Sequence, residues 1–308
     1  MGRHPRRRSA PATTRATRAS RTIKIAGIWS AALILGVAIA FAVRPTLRHA
    51  VAALLNDPAT LPALDGVANV HYEPRALACA EAVAALAPQA IERVEAAHGR
   101  PFAQKPVIGV YASYEHYARA NGLGDPGVAA VTRAGAALLS PTLCDKESDR
   151  LEGVVTHELS HVHLSGWRPF GAPRPPQWFT EGLAVMASNG GGAEGVSDDE
   201  AAQAIRDGYR IVLDGRRWID FAALGFEREP PRDPTKSALT QRQRLAYRQA
   251  GMFISWLRRR DEAAFLHLLR ALEAGEAFDL SLESAFGESA PSLWRRFVSA
   301  LSQPSGAG

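Results

Sequence analysis

The chain has 308 residues and a formal charge of +5, a balance that invites a polyanion-binding reading. That charge is not spread evenly: the first 24 residues carry +8 and no acid, so the other 284 sum to −3. Nucleic-acid binding is disfavoured, because the arginines run straight into an apolar segment and not into a folded reader.

Residues 25–43 are 19 uncharged, mostly apolar positions, including Ile28, Trp29, Leu33, Ile34, Leu35 and Phe41. As a helix they span about 28 Å, close to the hydrocarbon core of a bilayer. The basic flank predicts a single pass through the inner (plasma) membrane, with a cytoplasmic tail (1–24) and an extracytoplasmic, periplasmic remainder. The tail's cations also suit anionic lipid. A cleaved signal peptide competes, since Ala38-Ile39-Ala40 and Ala40-Phe41-Ala42 resemble cleavage sites. Signal h-regions run about 7–15 residues, so the length favours a retained anchor.

Residues 44–65, broken by Pro45, Pro58 and Pro62, read as a juxtamembrane stalk. Val67–Tyr72 is a predicted strand, and 74–98 a long helix with Leu77, Ala80, Ala84, Ala87, Ile91 and Val94 along one side. The apolar run 106–111 predicts a buried strand, and 113–121 a helix. Two strands are expected within 129–140, the second over 135–140. Cys79 and Cys144 either pair, closing a loop of about 65 residues worth about 4 kcal/mol, or remain separate buried thiols. They lack the close spacing of a zinc knuckle.

The next helix carries the chemistry. Leu151, Val154, Val155, Leu159 and Val162 give it a helical apolar pattern. Ser148 or Asp149, with Glu152, is expected to cap its start, and Gly166 to end it. Within it stands His157-Glu158-Leu159-Ser160-His161. Residues four apart lie about 40° apart around a helix, so both imidazoles face one way. After a Pro- and Gly-rich loop (166–176), Glu181 begins a further helical stretch, Trp178-Phe179-Thr180-Glu181-Gly182-Leu183-Ala184. Two imidazoles and a carboxylate make a site for one zinc ion with an open fourth position for water. Glu158 sits where a carboxylate can take a proton from that water. His163, two residues past the second histidine, points to another face and reads as structural.

Asn189-Gly190-Gly191-Gly192 reads as a flexible break. Helices then dominate, at about 198–213, 241–260, 261–274 and 291–302, with a long loop at 226–240. Residues 66–302 are long enough for one globular domain, split into an N-terminal lobe (66–165) and a C-terminal helical lobe (166–302), with a flexible tail at 303–308.

The His-Glu-x-x-His helix followed by Trp-Phe-x-Glu-Gly-Leu-Ala resembles the gluzincin branch of zinc metallopeptidases, and most of all the compact bacterial peptidase MA-like domains. The resemblance extends, more weakly, over about residues 67–302. It implies an α+β, zincin-like fold: a small mixed sheet and active-site helix, then a helical lobe, here preceded by one transmembrane helix. It further implies His157, His161 and Glu181 as zinc ligands and Glu158 as general base, with an edge strand beside the metal. That role falls on 135–140, whose small residues suit pairing with an extended substrate.

Tyr247 matches a tyrosine that stabilises the oxyanion in aminopeptidase-N-like members; the alternative is a packing tyrosine beside Leu245 and Phe253. Two departures stand out. The stretch Arg133-Ala134-Gly135-Ala136-Ala137-Leu138 lacks the carboxylate that holds a free amine, which argues for endopeptidase action over amino-terminal trimming. Val185 stands where thermolysin-like enzymes brace a zinc histidine with a carboxylate.

The expected activity is hydrolysis of peptide or protein substrates by a zinc-activated water. The alternatives are a non-catalytic peptide-binding or envelope-assembly module that keeps the fold, and hydrolysis of a non-peptide amide.

Overall fold

The computed structural model describes residues 43–214, 224–231 and 238–302. The basic tail, the apolar segment up to residue 42, residues 232–237 of the long loop and the tail 303–308 lie outside them. Among the described residues no helix is long and apolar enough to cross a membrane.

The architecture is α+β. Helix α1 (Pro45–Leu54) and strand β1 (Ala63–Leu64) come from the predicted stalk, which is instead packed onto the domain. Ala53 and Pro58 are buried, and β1 pairs antiparallel with β2 (Val67–Tyr72). Pro45 and Pro58 start helical turns here, at positions where a missing N–H costs nothing.

After a 3-10 turn, α2 (Leu77–His98) buries Ala80, Val83, Ala87, Ala90 and Val94. Leu77, expected on that face, is exposed. Strand β3 (Val107–Val110) and helix α3 (Tyr114–Ala120, capped by Ser113) follow as expected. Strands β4 (Ala130–Arg133) and β5 (Ala136–Leu139) form a hairpin. Its two turn residues, Ala134 and Gly135, have φ of 47° and 80°, the left-handed pair of a tight twisted turn.

The sheet order is β1-β2-β3-β5-β4, parallel from β2 through β3 to β5 and antiparallel at both ends. This corrects the expected edge: β5 lies inside the sheet and β4 forms the rim. All four residues of β5 are buried, as an unbroken apolar run buried on both faces requires. A short helix, α4 (Pro141–Asp145), was not anticipated. Its Cys144 is bonded to Cys79 of α2, Cα to Cα 5.7 Å, which resolves the pairing of the two cysteines.

Helix α5 (Leu151–Trp167) buries eleven of its 17 residues and joins both cores. Its Leu159 packs with Val70, Ile108, Leu139 and Val94 of the sheet lobe. Leu164 packs with the helical lobe. The expected cap at its start does not form. A 3-10 turn (Ser148–Arg150) leads straight into it, and its tight bonds serve N–H groups a side chain would otherwise take. The helix also runs past Gly166 to Trp167.

The helical lobe comprises α6 (Gln177–Ala187), α7 (Asp198–Arg206), α8 (Ala238–Arg260), α9 (Glu262–Glu273), α10 (Phe278–Phe286) and α11 (Ala290–Ser302). Helix α10 was not expected, and α7 stops at Arg206, short of 213. Gly208 turns the chain at φ 86°, and Ile211 then bridges to Phe226.

Helices α6 and α8 meet at two glycines. A Cβ on Gly182 would lie 2.7 Å from the Ala250 carbonyl oxygen, and one on Gly251 2.4 Å from Val185 Cγ1. Only hydrogen at both positions lets the helices approach this closely. Val185 fills the notch at Gly251, so the place of a bracing carboxylate is taken by an apolar contact.

Candidate metal centre

His157 and His161 project one helical turn apart from α5, and Glu181 faces them from the first turns of α6. His157 Nε2 lies 3.2 Å from His161 Nε2 and 3.2 Å from Glu181 Oε2, and His161 Nε2 lies 3.5 Å from the same oxygen. For zinc bonds of about 2.0–2.1 Å, tetrahedral geometry sets ligand atoms about 3.3–3.4 Å apart. The three atoms therefore stand near the corners of one tetrahedral face. The donor set and its spacing fit a zinc ion.

The far side of His157 fixes its tautomer. Its Nδ1 lies 2.9 Å from the carbonyl oxygen of Gly191. A carbonyl only accepts, so Nδ1 carries a proton, and Nε2 is the atom left to face the cluster, donating to Glu181 or, once deprotonated, free to take a metal. The sequence did not identify this partner. It lies in the Asn189–Gly192 segment, which is a tight turn and not a flexible break. Asn189, Gly190 and Gly192 adopt φ of 54°, 107° and 81°. A Cβ on Gly191 would lie 2.1 Å from the Gly153 carbonyl oxygen, and one on Gly192 2.9 Å from the His157 ring. The glycines let the loop backbone reach α5.

Three charged side chains hold that loop. Glu194 accepts from the Gly192 N–H (2.9 Å) and pairs with Arg150 (3.1 Å). Arg248 of α8 donates to the Ala193 carbonyl at 3.2 Å. None of these was legible beforehand, because each depends on which loop lies over which helix.

Glu158 is buried beside the triad. The hydroxyl of Thr132, on the rim strand β4, lies 2.7 Å from Glu158 Oε2 and 2.8 Å from the Glu158 carbonyl oxygen. The sheet edge thus grips the carboxylate through one hydroxyl, a contact the sequence reading missed. Tyr247 is also brought to the site: its ring stacks on His157 with centroids 6.1 Å apart, and its hydroxyl accepts from Gln243 at 3.2 Å.

Charge balance follows the geometry. Burial opposes an imidazolium at His157, but the Glu181 hydrogen bond and charge outweigh it and carry this imidazole up to about 9. Burial would raise Glu181, yet the His161 charge and hydrogen bonds from both imidazoles hold it well below the usual carboxylate range. Burial and the Glu181 charge push the Tyr247 phenol well above its ordinary value. The cluster therefore favours one added positive charge, which a proton or a metal ion can provide.

A second group, His98, His163 and Glu273, is also buried. Here His163 Nδ1 and Glu273 Oε1 are 3.9 Å apart, wider than the tetrahedral edge. His163 Nε2 donates to the Arg100 and Pro101 carbonyls, and both Arg100 and Arg270 already pair with Glu273. Two guanidinium cations beside the carboxylate disfavour a divalent ion. This group links α2, α5 and α9 as an internal polar lock, in keeping with a structural His163.

Comparison with family models, curated proteins and solved structures finds no match to this chain.

Proposed function

We propose that the protein is a zinc metallopeptidase of gluzincin type, held at the inner membrane by residues 25–43 and acting on peptide or protein substrates outside it. The carrying observation is the triangle of His157 Nε2, His161 Nε2 and Glu181 Oε2, whose 3.2, 3.2 and 3.5 Å edges suit one tetrahedral zinc face.

Bound there, zinc would supply Lewis acidity and a water whose pKa falls to about 7. Glu158 takes a proton from the attacking water and delivers it to the leaving amine. Thr132 fixes the orientation of Glu158 for both transfers. Tyr247, held protonated, offers its O–H to the developing oxyanion. The pairing of β4 with β5 closes on Arg133 and Ala136, which turns the backbone groups of Ala130 and Thr132 to the free rim. An extended substrate can pair there, beside the carboxylate that acts on it.

The test is cleavage of a peptide library by the purified chain, with metal content measured on the same sample. Chelator-sensitive internal cleavage at one zinc per chain is expected. Stoichiometric zinc without any cleavage would overturn the peptidase reading in favour of a binding module.

A further inference from the structure

Helix α1 presents an apolar face that is left exposed among the described residues. Among the described residues eight large apolar side chains are exposed, and four of them, Val43, Leu47, Leu54 and Leu55, fall within residues 43–55. Leu47, Ala50 and Leu54 recur at helical spacing on one side of α1, and all three are exposed. The opposite side meets the domain. Ala53 is buried, the His49 ring lies where a Cβ on Gly124 would approach it at 2.2 Å, and Arg133 donates to the Ala50 carbonyl at 3.2 Å. Arg44 and Arg48 are exposed, and no acid occurs between residue 43 and Asn56.

We propose that α1 is an interfacial helix that lies on the anionic bilayer surface and inserts Leu47, Ala50 and Leu54 among the lipid chains. Three observations name the occupant. The apolar segment that the membrane reading rests on ends at Val43, two residues before this helix starts at Pro45. Arg44 is extended (φ −115°, ψ 94°) and Pro45 stands at the first turn, so α1 begins at this point as a helix of its own. Apolar residues flanked by arginines without acids suit the boundary between acyl chains and anionic headgroups.

The helix is bonded to the same strand that holds the candidate base: Arg133 reaches Ala50, and its neighbour Thr132 grips Glu158. Seating α1 on lipid therefore holds the open rim of β4 close to the membrane, where it meets membrane-proximal segments of substrate chains. This consequence rests on the peptidase reading; the lipid contact itself does not.

The experiment reconstitutes the full chain into vesicles of phosphatidylethanolamine and phosphatidylglycerol. Leu54→Cys and, as a remote control, Leu280→Cys on α10 are each labelled with an environment-sensitive fluorophore. The native cysteines are paired, so the label goes to the new thiol. Both sites are exposed, which makes either variant compatible with folding. The Leu54 probe is expected to shift to the blue and to be quenched by spin-labelled lipid at least threefold more than the Leu280 probe. Arg44→Glu with Arg48→Glu should halve that quenching or better. Equal quenching at both positions in floating vesicles overturns the interfacial helix alone. A chain that fails to float overturns the membrane anchor with it. Energy transfer between labelled copies that survives dilution in lipid would assign the face to a second copy instead. None of these readouts depends on hydrolysis.

Discussion

His157 donates from Nδ1 to the carbonyl oxygen of Gly191 across 2.9 Å, so the imidazole is oriented by loop backbone where a carboxylate is the usual partner. A neutral acceptor leaves the ring less basic than a carboxylate would. It also ties metal affinity to the shape of one glycine turn.

That dependence is testable at Gly192. A methyl group there would lie 2.9 Å from the His157 ring, on a backbone with φ of 81° that side chains rarely adopt. Gly192→Ala is expected to weaken zinc binding about 10- to 100-fold, read by competition with a chromogenic chelator. An unchanged affinity would mean that the loop does not position the histidine.

Glu158→Gln should retain one zinc per chain and lose about 10²–10⁴-fold in kcat, because only the proton acceptor is removed. His157→Ala and Glu181→Ala should lose the metal. Elemental analysis beside a peptide assay separates the two classes, and full activity in Glu158→Gln would reject its role as base.

Thr132→Val removes the hydroxyl 2.7 Å from Glu158 Oε2. A drop in kcat of about tenfold, or about 1.4 kcal/mol, is expected with little change in KM. Thr132→Ser should restore the rate. A change confined to thermal stability, with kcat intact, would reduce Thr132 to a packing residue.

The metal-free chain should show a pH-dependent stability set by the same triad. With its imidazole raised to about 9 in the folded state, His157 contributes stability in full below its unfolded value near 6.5. That contribution is lost as pH rises through about 9. Urea unfolding in chelator should therefore weaken between pH 7 and 9.5, and Glu181→Gln should flatten the trend. A trend of equal size in Glu181→Gln would place its origin elsewhere.

Replacing both Cys79 and Cys144 by Ala should cost about 2–4 kcal/mol, since their bond closes a loop of 65 residues between α2 and α4. Urea midpoints of the oxidised chain and the double variant measure it directly.

Local chemistry determined much of this protein from the sequence alone. Histidines at i and i+4 share a helix face by geometry, and the alternation of short apolar runs with helical patterns located β2, β3, α2, α5 and α6 close to their observed limits. The rest is non-local. Whether β4 or β5 forms the rim depends on which neighbour β3 accepts, and no residue within either strand encodes that choice. The Gly191 carbonyl, the Thr132 hydroxyl and the Glu194–Arg150 clamp act across 26 to 44 residues of chain. Backbone carbonyls and single hydroxyls leave no distinctive mark in composition or spacing. Only close packing of the glycine loop on α5, and of α6 on α8, brings them to the histidines. Residue identity therefore set the candidate ligands, and tertiary packing set their orientation.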